Sequence, residues 1–247
     1  MNTKGEERGQ GHPTRTLSAA RSPLDVLKPV NELTPQPLYP TARESTLSSL
    51  HGPLRILSAC QPEFLHTLTL EKGIGRFARY RSIVSGIETL EKVAALPDAN
   101  VTVALSPAGQ IIGYIECSYP DAIEGWHDNS DGLCYELGAI EVSRNWRRCG
   151  AAQAMVALIL ADPFIETKIF FLTGYCWHWD TDQTGLSAYA YRNMLVRLFR
   201  PFGFRVYLTN NPEIKMSSAN VFMARIGNRM TQQQVERFQH MLFTFEQ

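Results

Sequence analysis

The chain has 247 residues, 44% of them hydrophobic and 19% charged, a composition that excludes a disordered or fibrous protein and fits one substantial domain or two small ones. Lys plus Arg and Asp plus Glu number 24 each, so the formal net charge is zero, which excludes the broad basic surface of a general nucleic-acid binder but allows a local basic patch for a small anion. The longest nearly apolar run, residues 151–161, is far shorter than the roughly 20 residues that cross a bilayer, so no membrane span is expected.

The first residues, Met1-Asn2-Thr3-Lys4-Gly5-Glu6-Glu7-Arg8, lack the apolar stretch of a secretory signal and carry an early acidic pair unlike a transit peptide, which places the chain in the cytoplasm. Seven of the 14 prolines fall in the first 53 residues, with no sustained helical or strand period. Residues 1–49 therefore read as a flexible or loosely docked arm, and residues 50–247 as the folded domain.

Order is expected from Leu54. Residues 54–57 read as a short strand, and 62–71 and 82–96 as helices, the second with Ile83, Ile87, Leu90 and Ala94 on one face. The period then changes. Residues 101–105 and 111–115 are strand-like and flank Ser106-Pro107-Ala108-Gly109-Gln110, a composition that predicts an antiparallel hairpin. A polar loop over 121–132 leads to a strand over 134–142, a polar turn, and a helix over 151–161 that is hydrophobic almost all round, as in a helix buried on several sides. A buried strand follows at 169–173, a helix at 186–199 stopped by Pro201 and Gly203, and a strand at 205–209. This order predicts an α/β (α+β layered) fold: a mixed, mostly antiparallel central sheet with helices on both faces.

The five cysteines (Cys60, Cys117, Cys134, Cys149, Cys176) are odd in number and never spaced CxxC, so neither a disulfide framework nor a zinc knuckle is indicated. His178, Asp180 and Asp182 share one loop without a second cluster, so no metal is expected. No Gly-x-Ser-x-Gly elbow is present to expose a serine nucleophile.

The turn over 140–152 concentrates the chemistry. It places two arginines, Arg147 and Arg148, and the small residues Gly150, Ala151 and Ala152 between a strand and a buried helix. Backbone N–H groups gathered at a helix N-terminus, with small side chains that admit a ligand, suit a phosphate-bearing anion. The turn is not a Walker loop, since no Gly-Lys-Ser/Thr follows.

Arg147-x-x-Gly150-x-Ala152 after a strand ending in Val142 resembles the acyl-CoA pyrophosphate loop of the Gcn5-related N-acetyltransferase (GNAT) superfamily. Glu136-Leu137-Gly138-Ala139-Ile140-Glu141-Val142, Trp177-His178-Trp179-Asp180, Pro212-Glu213-Ile214, Ala219-Asn220 and Met223-Ala224-Arg225-Ile226-Gly227 together resemble the acetoin-utilisation acetyltransferases (AcuA type). The resemblance covers residues 94–243 and implies the GNAT acyltransferase fold. It also implies transfer of acetyl from acetyl-CoA to a protein lysine, with acetyl-CoA synthetase as the substrate, an acetylation that removes the lysine's charge and switches the synthetase off. A small-molecule amine acetyltransferase and a non-catalytic acyl-CoA-binding regulator are the alternatives.

The resemblance carries roles with it. The backbone of Ile140 and Val142 would pair with the pantetheine amides, and the amides of Arg148, Cys149, Gly150, Ala151 and Ala152 would hold the pyrophosphate. Arg147, always charged and multidentate, is the candidate phosphate contact. The acceptor amine has to lose a proton before attack, and Glu136 is the first candidate base, Glu141 the second. Strand alternation places Glu136, Gly138, Ile140 and Val142 on one face and Leu137, Ala139 and Glu141 on the other, so the two glutamates share a face only if the strand is bulged. His178 is a further candidate base, Asp180 a candidate partner for the lysine cation, and Trp177 and Trp179 candidate walls of its channel. Phe199 stands where the superfamily often has a tyrosine that protonates the leaving thiolate, so the candidate proton sources are Tyr191, two turns earlier, and solvent.

Overall fold

In the computed structural model the described residues are 39–75, 86–121, 126 and 132–245. Most of the proline-rich arm, residues 82–85 of the second expected helix and most of the polar loop lie outside them. The elements are β1 (Arg43–Ser49), β2 (Gly52–Ser58), α1 (Pro62–His66), α2 (Ile87–Ala94), β3 (Asn100–Leu105), β4 (Ile111–Ser118), β5 (Cys134–Val142), α3 (Ala151–Leu160), β6 (Ile169–Gly174), α4 (Thr181–Thr184), α5 (Ala188–Phe199), β7 (Arg205–Tyr207), α6 (Pro212–Lys215), β8 (Val221–Ile226) and α7 (Gln232–Met241).

The eight strands form one sheet in the order β1-β2-β3-β4-β5-β6-β8-β7. Only β5 and β6 pair in parallel; the other neighbours are antiparallel. This is the mixed, mostly antiparallel sheet expected. α3 follows β5 and returns over the sheet before β6, as parallel pairing requires. Its side chains Met155, Val156 and Ile159 are fully buried and pack with Ile56, Ile115, Leu137 and the α5 residue Phe199 on one face. On the opposite face, Leu65 of α1 and Leu90 of α2 cover Val101, Val103 and Tyr114, while Phe238 of α7 packs on Phe171 and Phe222. Trp126 stacks on Phe222 with ring centroids 4.3 Å apart.

The sheet begins earlier than Leu54. β1 lies inside the segment read as an arm, paired in register with β2 from Arg43↔Ser58 to Ser49↔Gly52. Its sequence, RESTLSS, has Leu47 as its sole hydrophobic residue, so an edge strand carried by backbone pairing gives little hydrophobic signal. The helix expected over 62–71 is a single turn, after which Leu70 bridges to Ile111. β4 continues past residue 115 to Ser118, and this extension carries Glu116 into the sheet.

Candidate functional site

β5 and β6 pair only at Cys134↔Ile169, Tyr135↔Phe170 and Glu136↔Phe171. Beyond that point β5 runs on to Val142 bonded to β4, and β6 runs on to Gly174 bonded to β8. The sheet is thus split down its middle. Among the described residues no strand pairs with the β6-side edge of β5 beyond Glu136, an edge whose backbone groups seek partners.

The split opens onto the arginine-rich turn. Ser143 ends β5, donates its amide to Ile112 O at 2.8 Å and caps a 3-10 turn over Arg144–Trp146. Glu71 clamps this turn: it accepts from Ser143 Oγ, from Asn145 Nδ2 at 2.9 Å and from the Gly73 amide at 2.8 Å. Partial burial pushes the Glu71 carboxyl up, but these donors hold it below its ordinary value. Arg148 (φ 63°) and Gly150 (φ 86°) both adopt the left-handed conformation that turns the chain into α3. Gly150 takes that conformation without strain and caps α3 with no side-chain bond, so the first amides of a helix with a positive end face the opening.

A cleft of about 760 Å³ lies there, within the range of ligand pockets. It is lined by Ile140, Glu141 and Val142 of β5, by Arg147, Arg148, Cys149, Gly150, Ala151 and Ala152 of the turn, and by Tyr191 and Leu195 of α5. The structure therefore brings most of the expected site residues to one wall. Glu136, Trp177, His178, Trp179 and Asp180 are outside that lining.

Asp180 differs most from expectation. It is 2% exposed and accepts from Arg144 Nε (3.1 Å), Arg144 Nη2 (3.2 Å) and Arg147 Nη2 (2.6 Å) while capping α4. Burial pushes its carboxyl up, but the two guanidinium groups hold it below the usual carboxylate range. Its charge is engaged by Arg144 and Arg147, both of which line the cleft.

The two glutamates share a face after all. Glu116 pairs with Ala139 and Cys117 with Leu137, which leaves Gly138 as the extra residue of a β-bulge. The bulge resets the alternation. Tyr135, Leu137, Ile140 and Val142 pack on the α3 side, while Ala139 and Glu141 turn to the side of Tyr114, where Glu136 also faces. Glu141 is fixed by the Tyr114 hydroxyl, which donates to Oε2 at 2.9 Å, and by the Gly75 amide, which donates to Oε1 at 2.8 Å. Glu136 Oε1 has Thr173 Oγ1 at 3.5 Å. Glu116 joins them from β4. The expected strand over 111–115 stopped one residue short of it, so sequence reasoning missed this group.

Tyr191 lines the cleft and stacks on Trp179 (centroids 5.2 Å apart, planes 11° apart), and burial raises its phenol pKa against the opposing pull of Arg147. Phe199 is buried against Phe204 in the core. Trp177 stacks on Tyr175, whose hydroxyl donates to Glu213 Oε2 at 2.9 Å. His178, edge-on to both rings, has its pKa lowered by partial burial against the opposing pull of Glu213. Asn220 locks this corner: Oδ1 accepts from the Cys176 amide and Nδ2 donates to Glu213 O, each at 2.8 Å.

Among the described residues no group of three or more His, Cys, Asp or Glu gathers to hold a metal, and no helix is long and apolar enough to cross a membrane. None of the five cysteines forms a disulfide.

No family model matches the chain. It is 35% identical over 156 residues, 63% of this chain and 74% of the relative, to the acetoin utilization protein AcuA of Bacillus licheniformis. The AcuA protein of Bacillus subtilis strain 168 is 29% identical over 205 residues, 83% of this chain and 96% of the relative. Among solved structures, an acetoin utilization protein from Exiguobacterium sibiricum 255-15 superposes with a TM-score of 0.76 at 30% identity, covering 82% of this chain and 94% of the other.

Proposed function

The chain belongs to the acetoin utilization protein AcuA family, and from that premise we propose that it is an acetyl-CoA-dependent N-acetyltransferase acting on a lysine ε-amine of a protein, with acetyl-CoA synthetase as its substrate. The observation that carries this reading is the split between β5 and β6, which opens directly onto the amides of residues 148–152. An extended thioester with an anionic end matches such a site. The free edge of β5 at Ile140 and Val142 offers hydrogen bonds to pantetheine amides, and the start of α3 with Arg147 and Arg148 offers charge and donors to the pyrophosphate.

Across the sheet from the α3 side, Glu141 receives the acceptor's ammonium, because its two oxygens are already oriented by Tyr114 and Gly75. Once deprotonated, the amine nitrogen attacks the thioester carbonyl, the C–S bond breaks and the acetyl group passes to nitrogen. The leaving thiolate takes a proton, for which Tyr191 in the cleft wall is the source. Direct transfer needs no acyl-enzyme, so Cys149 contributes packing to the cleft.

The test is incubation of the purified protein with labelled acetyl-CoA, acetyl-CoA synthetase and a panel of small amines. Label on a synthetase lysine supports the proposal, label on an amine redirects it to small-molecule acetylation, and binding without transfer makes the chain a sensor. Arg147→Ala should weaken acetyl-CoA binding about tenfold, as loss of a charged hydrogen bond does, with a smaller change in kcat. Titration calorimetry that finds unchanged affinity removes Arg147 from the phosphate site.

A further inference from the structure

Three carboxylates lie on the acceptor side of the sheet, and the central one is chemically unlike its neighbours. Glu116 opposes Ala139, while Glu141 opposes Tyr114 and Glu136 opposes Ser118, so Glu116 is the diagonal cross-strand neighbour of both glutamates of β5. Diagonal neighbours stand roughly 7–8 Å apart, within reach of side chains of this length. Between them lie Ala139, opposite Glu116, and the bulged Gly138. Glu116 is 6% exposed, and its Oε2 is buried without a hydrogen-bond partner. A buried carboxylate without donors is costly to keep charged and is retained where it meets a cation or a proton in the working cycle.

We infer that Glu116 is where the acceptor's first proton comes to rest, handed on from the ammonium through Glu141. The inference rests on the N-acetyltransfer reading and deepens it. Glu141 suits the hand-over but not the resting place, because both its oxygens already accept donors that would oppose an added O–H. The balance is simple. The ammonium gives one proton by way of Glu141 to Glu116, the neutral amine attacks, the second proton of nitrogen leaves to solvent as the adduct collapses, and the thiolate takes its proton from Tyr191, which regains one from solvent. Glu116 then releases its proton to solvent. Burial alone pushes the Glu116 carboxyl up to about 7, a value matched to proton transfer near neutral pH. Among the described residues, the titratable side chains on this face of β4 and β5 are Tyr114 on its own strand and Glu136 and Glu141 on β5. β3 and α2 present Val101, Val103 and Leu90 on this face, and the described charged pair on the helices above is His66 with Glu91.

The experiment is the pH dependence of kcat/KM for the full-length protein, its Glu116→Gln and Glu116→Asp variants, with acetyl-CoA affinity and thermal midpoint measured on each. The wild type should show an acidic limb near pH 7. Glu116→Gln should lose about 100-fold or more of kcat/KM together with that limb, and keep its acetyl-CoA affinity. Glu116→Asp should recover part of the rate and restore the limb, which a purely structural role would not do. A Glu116→Gln protein that keeps both rate and limb overturns the inference and leaves the acetyltransferase reading standing. A wild-type protein that binds acetyl-CoA but acetylates no acceptor removes both. Should Glu116→Gln fail to fold, Glu116→Asp decides, since an unmoved limb with full rate overturns the assignment.

Discussion

Asp180→Ala should destabilise the fold by about 3 kcal/mol, because it leaves the Arg144 and Arg147 guanidinium groups facing each other without their shared anion. The arginine side chains are 22% and 31% exposed, and solvent takes up part of the loss, which keeps the cost at the low end of buried ion pairs. The Asp180 carboxyl is held below its ordinary pKa, so its stabilisation is present above the unfolded-state value and is lost as pH falls through the folded one. Urea titrations of wild type and variant should therefore differ at neutral pH and converge in strong acid. Arg144→Ala leaves Asp180 one partner and should cost less. Equal midpoints for wild type and Asp180→Ala at pH 7 would show that this cluster does not hold the turn.

Glu141→Gln is expected to lower kcat/KM for the acceptor by about 100-fold, the usual cost of losing the group that orients a reacting partner. Gln keeps the shape and can still accept from Tyr114 on its oxygen. It places an NH₂ against the Gly75 amide, however, and removes the charge proposed to draw in an ammonium. Acetyl-CoA binding should change little, since the proposed pyrophosphate contacts come from the turn and not from this face. Steady-state kinetics with acceptor varied at saturating acetyl-CoA separates the two effects. An unchanged acceptor constant would place the amine elsewhere.

Much of the architecture was legible because its signals are local. β5 covers residues 134–142 as read, and α3 starts at Ala151 as read, since an apolar run after Gly150 leaves the chain little alternative. Elements without a local apolar signal were missed. β1 is polar apart from Leu47, and α7 is rich in Gln, though Thr231 and Gln234 form a capping box whose spacing marks a helix start. β8 holds Met223, Ala224, Arg225 and Ile226, which read from the sequence as a motif and not as a strand. The site was legible as a set of residues but not as a geometry. The Gly138 bulge, which puts Glu136 and Glu141 on one face, is a property of the pairing with β4 and not of β5 alone. The engagement of Asp180 by two arginines, one of them Arg147, likewise depends on a loop more than thirty residues away in sequence.

The central claim is that the opening between β5 and β6 holds an acyl-CoA across the turn that begins α3. Amide hydrogen exchange of the full chain with and without acetyl-CoA tests it most directly. The account predicts new protection over residues 138–142 and 148–153, with the edge strands β1 and β7 unchanged. Saturating acetyl-CoA that leaves both segments exchanging as in the free protein would contradict it.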